Sequence, residues 1–113
     1  MQPDESYVLD MIKAGRYILD FIRGMDAAAF GQDEKTQSAV LHQFMILGEA
    51  ANRISAEFRD GHREVDWFKI VGMRNRLVHE YDRVTLKRVW TTATEDIPEL
   101  LAVLVRLTSK GTP

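Results

Sequence analysis

Residues 40–58 read VLHQFMILGEAANRISAEF, and within them Val40, Phe44, Leu47, Ala51, Ile54 and Phe58 recur at intervals of 4-3-4-3-4. That period lines all six on one face of a helix and cannot serve a strand, whose side chains change face at every residue. The helix is expected to end near Arg59, where Asp60-Gly61 forms a stop signal.

The same periodicity extends outward in both directions. Upstream, Gly24, Asp26 and the stretch from Gly31 to Asp33 supply breakers and a cap. Before them, Tyr7, Met11, Ile18, Ile22 and Met25 form one stripe with Val8, Ile12 and Leu19 beside it, which predicts a helix from about Asp4 to Arg23 or Gly24. Downstream, Asp66 is placed to cap a third helix carrying Trp67, Ile70, Val71, Leu77 and Val78. A short connection around Tyr81 to Val84 then leads into Leu86, Val89, Trp90, Ala93, Ile97, Leu100 and Leu104, a long fourth helix that Pro98 should kink. The expectation is an all-α fold, an antiparallel four-helix up-and-down bundle occupying residues 1–113 as one domain. Bundles of this kind host many functions, so function has to come from particular residues.

Composition narrows the chemistry. At 113 residues with 45% apolar content, the chain has length for one core. It contains no cysteine, which removes disulfides, thiolate zinc sites and cysteine nucleophiles and leaves oxygen and imidazole chemistry. No basic n-region precedes an apolar run, and charges interrupt every helical pattern, so a cytoplasmic protein with no membrane span is expected. The net charge of −2 argues against a large non-specific nucleic-acid surface. Yet between Lys69 and Arg88 six basic residues (Lys69, Arg74, Arg76, Arg83, Lys87, Arg88) stand against two acidic ones (Glu80, Asp82). Such a basic zone fits an anion site or a solvated helix end.

Inside that zone lies Arg74-Asn75-Arg76-Leu77-Val78-His79-Glu80-Tyr81-Asp82. On a wheel with about 100° per residue and Arg74 at zero, Trp67, Ile70, Val71, Leu77 and Val78 all fall within roughly 60° of it. Arg74 thus sits at the centre of the apolar stripe. A guanidinium stays charged and is costly to bury alone, so it must meet a carboxylate or a wet cleft. Glu49 is a candidate for the first, in a purely structural salt bridge. Asn75 precedes His79 by one turn, a spacing that permits a hydrogen bond. His79 itself falls at roughly +140°, off the face of Arg74, so either the helix loosens before it or a second subunit brings the two groups together. A helix C-terminus would favour the imidazolium there and suit a general acid or base. His42 and His62 lack such a setting and are assigned no role.

Arg, His and a polar helper match the demands of metal-free RNA cleavage, in which the 2′-hydroxyl attacks the adjacent phosphate. His79 would move protons, Arg74 would stabilise the charge on the phosphorane-like transition state, and Asn75 would orient His79 or the phosphate. A metal reading of His79, Glu80 and Asp82 lacks a second histidine at the right spacing. No Gly-rich phosphate loop or nucleophile elbow is present, and no cofactor is implied.

These residues resemble the HEPN superfamily, and within it the HepT-like toxins of prokaryotic toxin–antitoxin pairs. The resemblance rests on Arg74-x4-His79-x-Tyr81 with Asn75 after the arginine, on Gly48-Glu49-Ala50-Ala51, on Asp66-Trp67 leading to Ile70-Val71-Gly72-Met73, and on Trp90 followed by Ile97-Pro98. It implies a homodimer whose two motifs line one cleft and a metal-independent endoribonuclease of a type VII-like pair. It also implies an MntA-like nucleotidyltransferase antitoxin that transfers AMP from ATP to Tyr81. The added phosphodiester and nucleotide would repel and obstruct an RNA backbone beside Arg74 and His79. Glu49 and Arg76 are carried as supporting residues. A non-catalytic subunit that binds a nucleotide or the nucleotidyltransferase is the competing expectation, and a purely structural helical dimer is the third.

Overall fold

The structure, a computed structural model, describes residues 3–109. Among them every regular element is helical: α1 (Pro3–Phe21), α2 (Ala27–Gln32), α3 (Glu34–Arg53), α4 (Ala56–Gly61), α5 (Trp67–His79), a 3-10 turn (Tyr81–Arg83), α6 (Leu86–Thr91), a π-helical turn (Thr92–Asp96) and α7 (Ile97–Ser109). The all-α expectation holds, with the four long segments divided more finely than their periodicity indicates.

The divisions follow from capping. Asp26, Asp33, Ser55, Asp66 and Thr85 each accept a hydrogen bond from the backbone N–H three residues on, which starts α2, α3, α4, α5 and α6. The expected helix through Arg59 instead breaks at Ile54, whose backbone is extended. Two contacts account for the break. Ser55 Oγ accepts from Phe58 N, and Asp4 of α1 takes hydrogen bonds from both Ser55 N at 2.8 Å and Ser55 Oγ at 2.7 Å. The apolar spacing runs straight across this break, since Ile54 is buried and Phe58 packs against the core from α4. Asp4 lies at the start of α1 and Ser55 just past the end of α3, so these two helices run antiparallel.

The fourth segment is irregular just ahead of Pro98 rather than at it. Proline has no N–H to offer the carbonyl four residues back, and the preceding turn widens to π geometry. Thr92 and Thr94 hydroxyls donate to the carbonyls of Arg88 and Trp90, each at 2.8 Å.

The buried cluster draws on every long helix. Val8, Met11 and Ile18 of α1 meet Val40, Phe44, Leu47 and Ala51 of α3, and Val89, Ala93, Ile97 and Leu104 close the cluster from the last segment. Gly15 of α1 admits Leu101, whose Cδ2 would lie 2.8 Å from an added Cβ. α1 packs on both α3 and α7, while α5 packs along α3. Between α5 and α7 the seam stays open as a groove of about 570 Å3 with Phe44 and Leu47 among its lining residues and Phe68, 91% exposed, at its side.

Candidate active site

Gly48 decides how α5 meets α3. A Cβ at that position would overlap the Cβ of Arg74, so only glycine lets the two backbones come this close. The close approach lays the Arg74 side chain across α3 beside Glu49. Arg74 Nε donates to Glu49 Oε2 at 3.0 Å, Nη2 lies 2.8 Å from the same oxygen, and Nη1 donates to Asn75 Oδ1 at 2.8 Å. The other Glu49 oxygen accepts from Arg53 Nε at 3.3 Å. One carboxylate therefore answers two guanidiniums, and Asn75 fixes the far side of the Arg74 fork.

The expected Arg74–Glu49 pair forms, but not in the core. The Arg74 side chain keeps 25% of its exposure and Glu49 keeps 39%. Both line a groove of about 580 Å3 between α1, α3 and α5, together with Lys13, Tyr17, His42 and Arg53. A cleft of this size accommodates a nucleotide-scale ligand. The purely structural reading required Arg74 to be paired away from any cleft, and the groove removes that condition.

His79 is the last residue of α5, exposed, and its imidazole has no intramolecular hydrogen bond or ion pair among the described residues. The expected link from Asn75 to His79 is absent, because the Asn75 amide oxygen is committed to Arg74. Glu80 caps the helix, with its N–H on the Arg76 carbonyl at 2.7 Å, and Tyr81 opens the 3-10 turn with 55% exposure. Tyr81 is thus not on a continued helix beside Arg74. Within one chain, the fold joins Arg74, Asn75 and Glu49 but leaves His79 and Tyr81 outside the groove that Arg74 lines. Arg76 lies away from that groove, lining both a depression bounded by the 3-10 turn and α6 and the open seam between α5 and α7.

Sequence reasoning gave His42 no role, yet it lies on the wall of the Arg74 groove. The available signal was its position seven residues before Glu49, two helical turns on the same face. Lys13 and Arg53 join it there, so the groove carries more cationic groups than the motif alone supplies. Exposed apolar residues border the same face: Tyr17 stacks on Phe21 with centroids 5.7 Å apart, and Ile46 and Val78 are 38% and 44% exposed. No three His, Asp or Glu side chains converge as a metal-binding group among the described residues, and none of the helices there is long and apolar enough to cross a membrane.

Comparison with known proteins shows what the chain is similar to. The family described as "Ribonuclease HepT-like" matches residues 11–107. A protein of Thermococcus cleftensis named "Probable ribonuclease HepT" is 36% identical, over 85% of this chain and 87% of its own length. "Putative RNase TTE0752" of Caldanaerobacter subterraneus is 31% identical over 88% of this chain and 89% of its own. "Putative RNase MJ1380" of Methanocaldococcus jannaschii is 27% identical over 85% and 88%. No solved structure gives a significant match. The family match covers α3 and α5 whole and α1 from residue 11 onward, and with it the chain belongs to the HepT-like ribonuclease family of the HEPN superfamily.

Proposed function

We propose that the protein is a metal-independent endoribonuclease acting as the toxin of a type VII-like toxin–antitoxin pair. The observation that carries the reading is Arg74, a cation held at the wall of a nucleotide-sized groove by Glu49 and Asn75, on the same helix that ends in an unengaged His79. In the reaction the 2′-oxygen bonds to phosphorus and gives up its proton, and the bond from phosphorus to the 5′-oxygen breaks. The products are a 2′,3′-cyclic phosphate and a 5′-hydroxyl that takes up a proton. His79 serves the proton transfers, Arg74 the negative charge on the phosphorane-like oxygens, and Asn75 the aim of Arg74.

The separation of His79 from Arg74 supports a homodimer, in which a second copy laid on the α1–α3–α5 face completes the cleft. Tyr17, Phe21, Ile46 and Val78 give that face the apolar surface a dimer needs. Tyr81, protruding on its 3-10 turn, is accessible to an MntA-like nucleotidyltransferase, and AMP attached there brings negative charge to the basic segment from Lys69 to Arg88. One observation favours the second reading, a non-catalytic nucleotide- or partner-binding subunit: Glu49 already answers much of the Arg74 charge.

The deciding experiment expresses wild type and His79→Ala without any partner and incubates each with RNA in the presence of a chelator. Wild type should give 2′,3′-cyclic phosphate ends, and His79→Ala should be slower by about 100-fold or more. Equal rates would sink the ribonuclease reading. In parallel, ATP and the candidate nucleotidyltransferase should add mass at Tyr81, and a gain persisting in Tyr81→Phe would refute that residue.

A further inference from the structure

A second cationic site lies on the far side of α5 from the Arg74 groove. Arg76 of α5, Arg83 of the 3-10 turn and Arg88 of α6 converge on a depression of about 250 Å3 whose wall also contains Thr85, Val84 and Glu80. None of the three guanidiniums makes an ion pair or side-chain hydrogen bond within the chain among the described residues. Three like charges gathered from three elements repel one another, and the one carboxylate in the wall of the depression, Glu80, is engaged with none of them; Glu64, Asp66, Asp96 and Glu99 line the neighbouring α5–α7 groove that Arg76 and Arg88 also border, without forming an ion pair to either. Some cations elsewhere are paired, with Arg53 and Arg74 sharing Glu49 and Lys69 reaching Asp96 at 2.9 Å, and what sets Arg76, Arg83 and Arg88 apart is that they gather in one concave wall. An unneutralised arginine cluster in a concave site is suited to an anion, and guanidiniums match phosphate oxygens in fork geometry.

We infer that this depression is a phosphate subsite for the RNA strand, gripping a backbone phosphodiester a short distance from the one cleaved; the inference rests on RNA being the ligand of the Arg74 groove. Continuity favours a strand over a free nucleotide. Around α5, Asn75, His79 and Arg76 follow Arg74 at roughly 100°, 140° and 200°, a run of polar side chains that leads from one site to the other past the exposed Val78 and Phe68. All three are exposed. The lining of the depression contains no aromatic residue on which a base could stack, so it recognises backbone and not base identity. The subsite therefore adds affinity without sequence preference and favours oligonucleotides over dinucleotides.

The test uses the full chain and a twelve-nucleotide RNA with every 2′-hydroxyl methylated, which binds without being cleaved. Its dissociation constant is followed by fluorescence anisotropy across a salt series for wild type, the double variant Arg83→Ala/Arg88→Ala and the double variant Arg83→Lys/Arg88→Lys. The alanine pair should weaken binding by about 10- to 100-fold at low salt and reduce the slope of log K against log salt by about 0.7, the share of one phosphate, while the lysine pair retains most of both. With cleavable RNA, the alanine pair should raise KM more than it lowers kcat, and a dinucleotide substrate should show no difference. Affinity and salt slope equal to wild type in the alanine pair would overturn the subsite, as would a change of assembly state as the only effect. Wild type that binds with this salt dependence but does not cleave would retain the subsite and remove the ribonuclease reading instead.

Discussion

At the scale of single residues, Gly48 and Arg74 form one feature. Glycine inside a helix costs about 1 kcal/mol relative to alanine, so by propensity alone Gly48→Ala would stabilise α3. The overlap of the new methyl with the Arg74 Cβ outweighs that gain, because the obstacle sits next to the backbone and cannot swing aside. Gly48→Ala is expected to lower stability by about 1–3 kcal/mol in urea unfolding and to displace Arg74 from Glu49. A variant as stable as wild type would show that α3 and α5 part without cost. The wheel already placed Arg74 at the centre of a stripe needing a carboxylate, and Glu49 provides it. It could not show that Asn75 turns to Arg74 instead of His79, because an adjacent guanidinium competes with the i+4 imidazole only once Glu49 has fixed the guanidinium's direction.

Helices α2 to α6 each start where a side chain captures a free N–H, and Asp33 is the clearest case. Its carboxyl is held below its usual value of 3.8, first by the Thr36 N–H and then by the Thr36 hydroxyl. Because the native state favours the charged form, the stabilising contribution is complete above that value and is lost as pH falls through the lower native one. Asp33→Ala should therefore be less stable than wild type at pH 7, with the difference narrowing below about pH 4 when urea midpoints are compared. A gap that is constant with pH would remove the carboxylate from the account. Periodicity made the long helices legible, since Val40, Phe44, Leu47, Ala51 and Ile54 are all buried. It did not reveal the break at Ile54 or the π turn before Pro98. The first depends on Asp4, remote in sequence, and the second on how one missing N–H is absorbed upstream.

Across the whole molecule, the proposed site is incomplete in one chain, and the proposed dimer is its remedy. Val78, exposed at the edge of the Arg74 groove, is the residue to probe. Val78→Glu should halve the mass measured by sedimentation and abolish cleavage while leaving the helical circular dichroism intact, because burying a lone carboxylate in an apolar contact costs several kcal/mol. A variant that keeps the wild-type mass and activity would move the interface elsewhere. No single-chain pattern reports a two-chain cleft directly; the mismatch between Arg74 and His79 on the wheel is the ground on which the dimer is proposed. The open seam beside α5 has a further consequence. α1 and α3 are clasped from several directions, whereas α5 leans mainly on α3 and borders a groove on its other long side. Local opening takes the least anchored segment first. The helix bearing Arg74, Asn75 and His79 is therefore the one that can tilt to follow a substrate strand by loosening one packing seam, with the hydrophobic interior left closed.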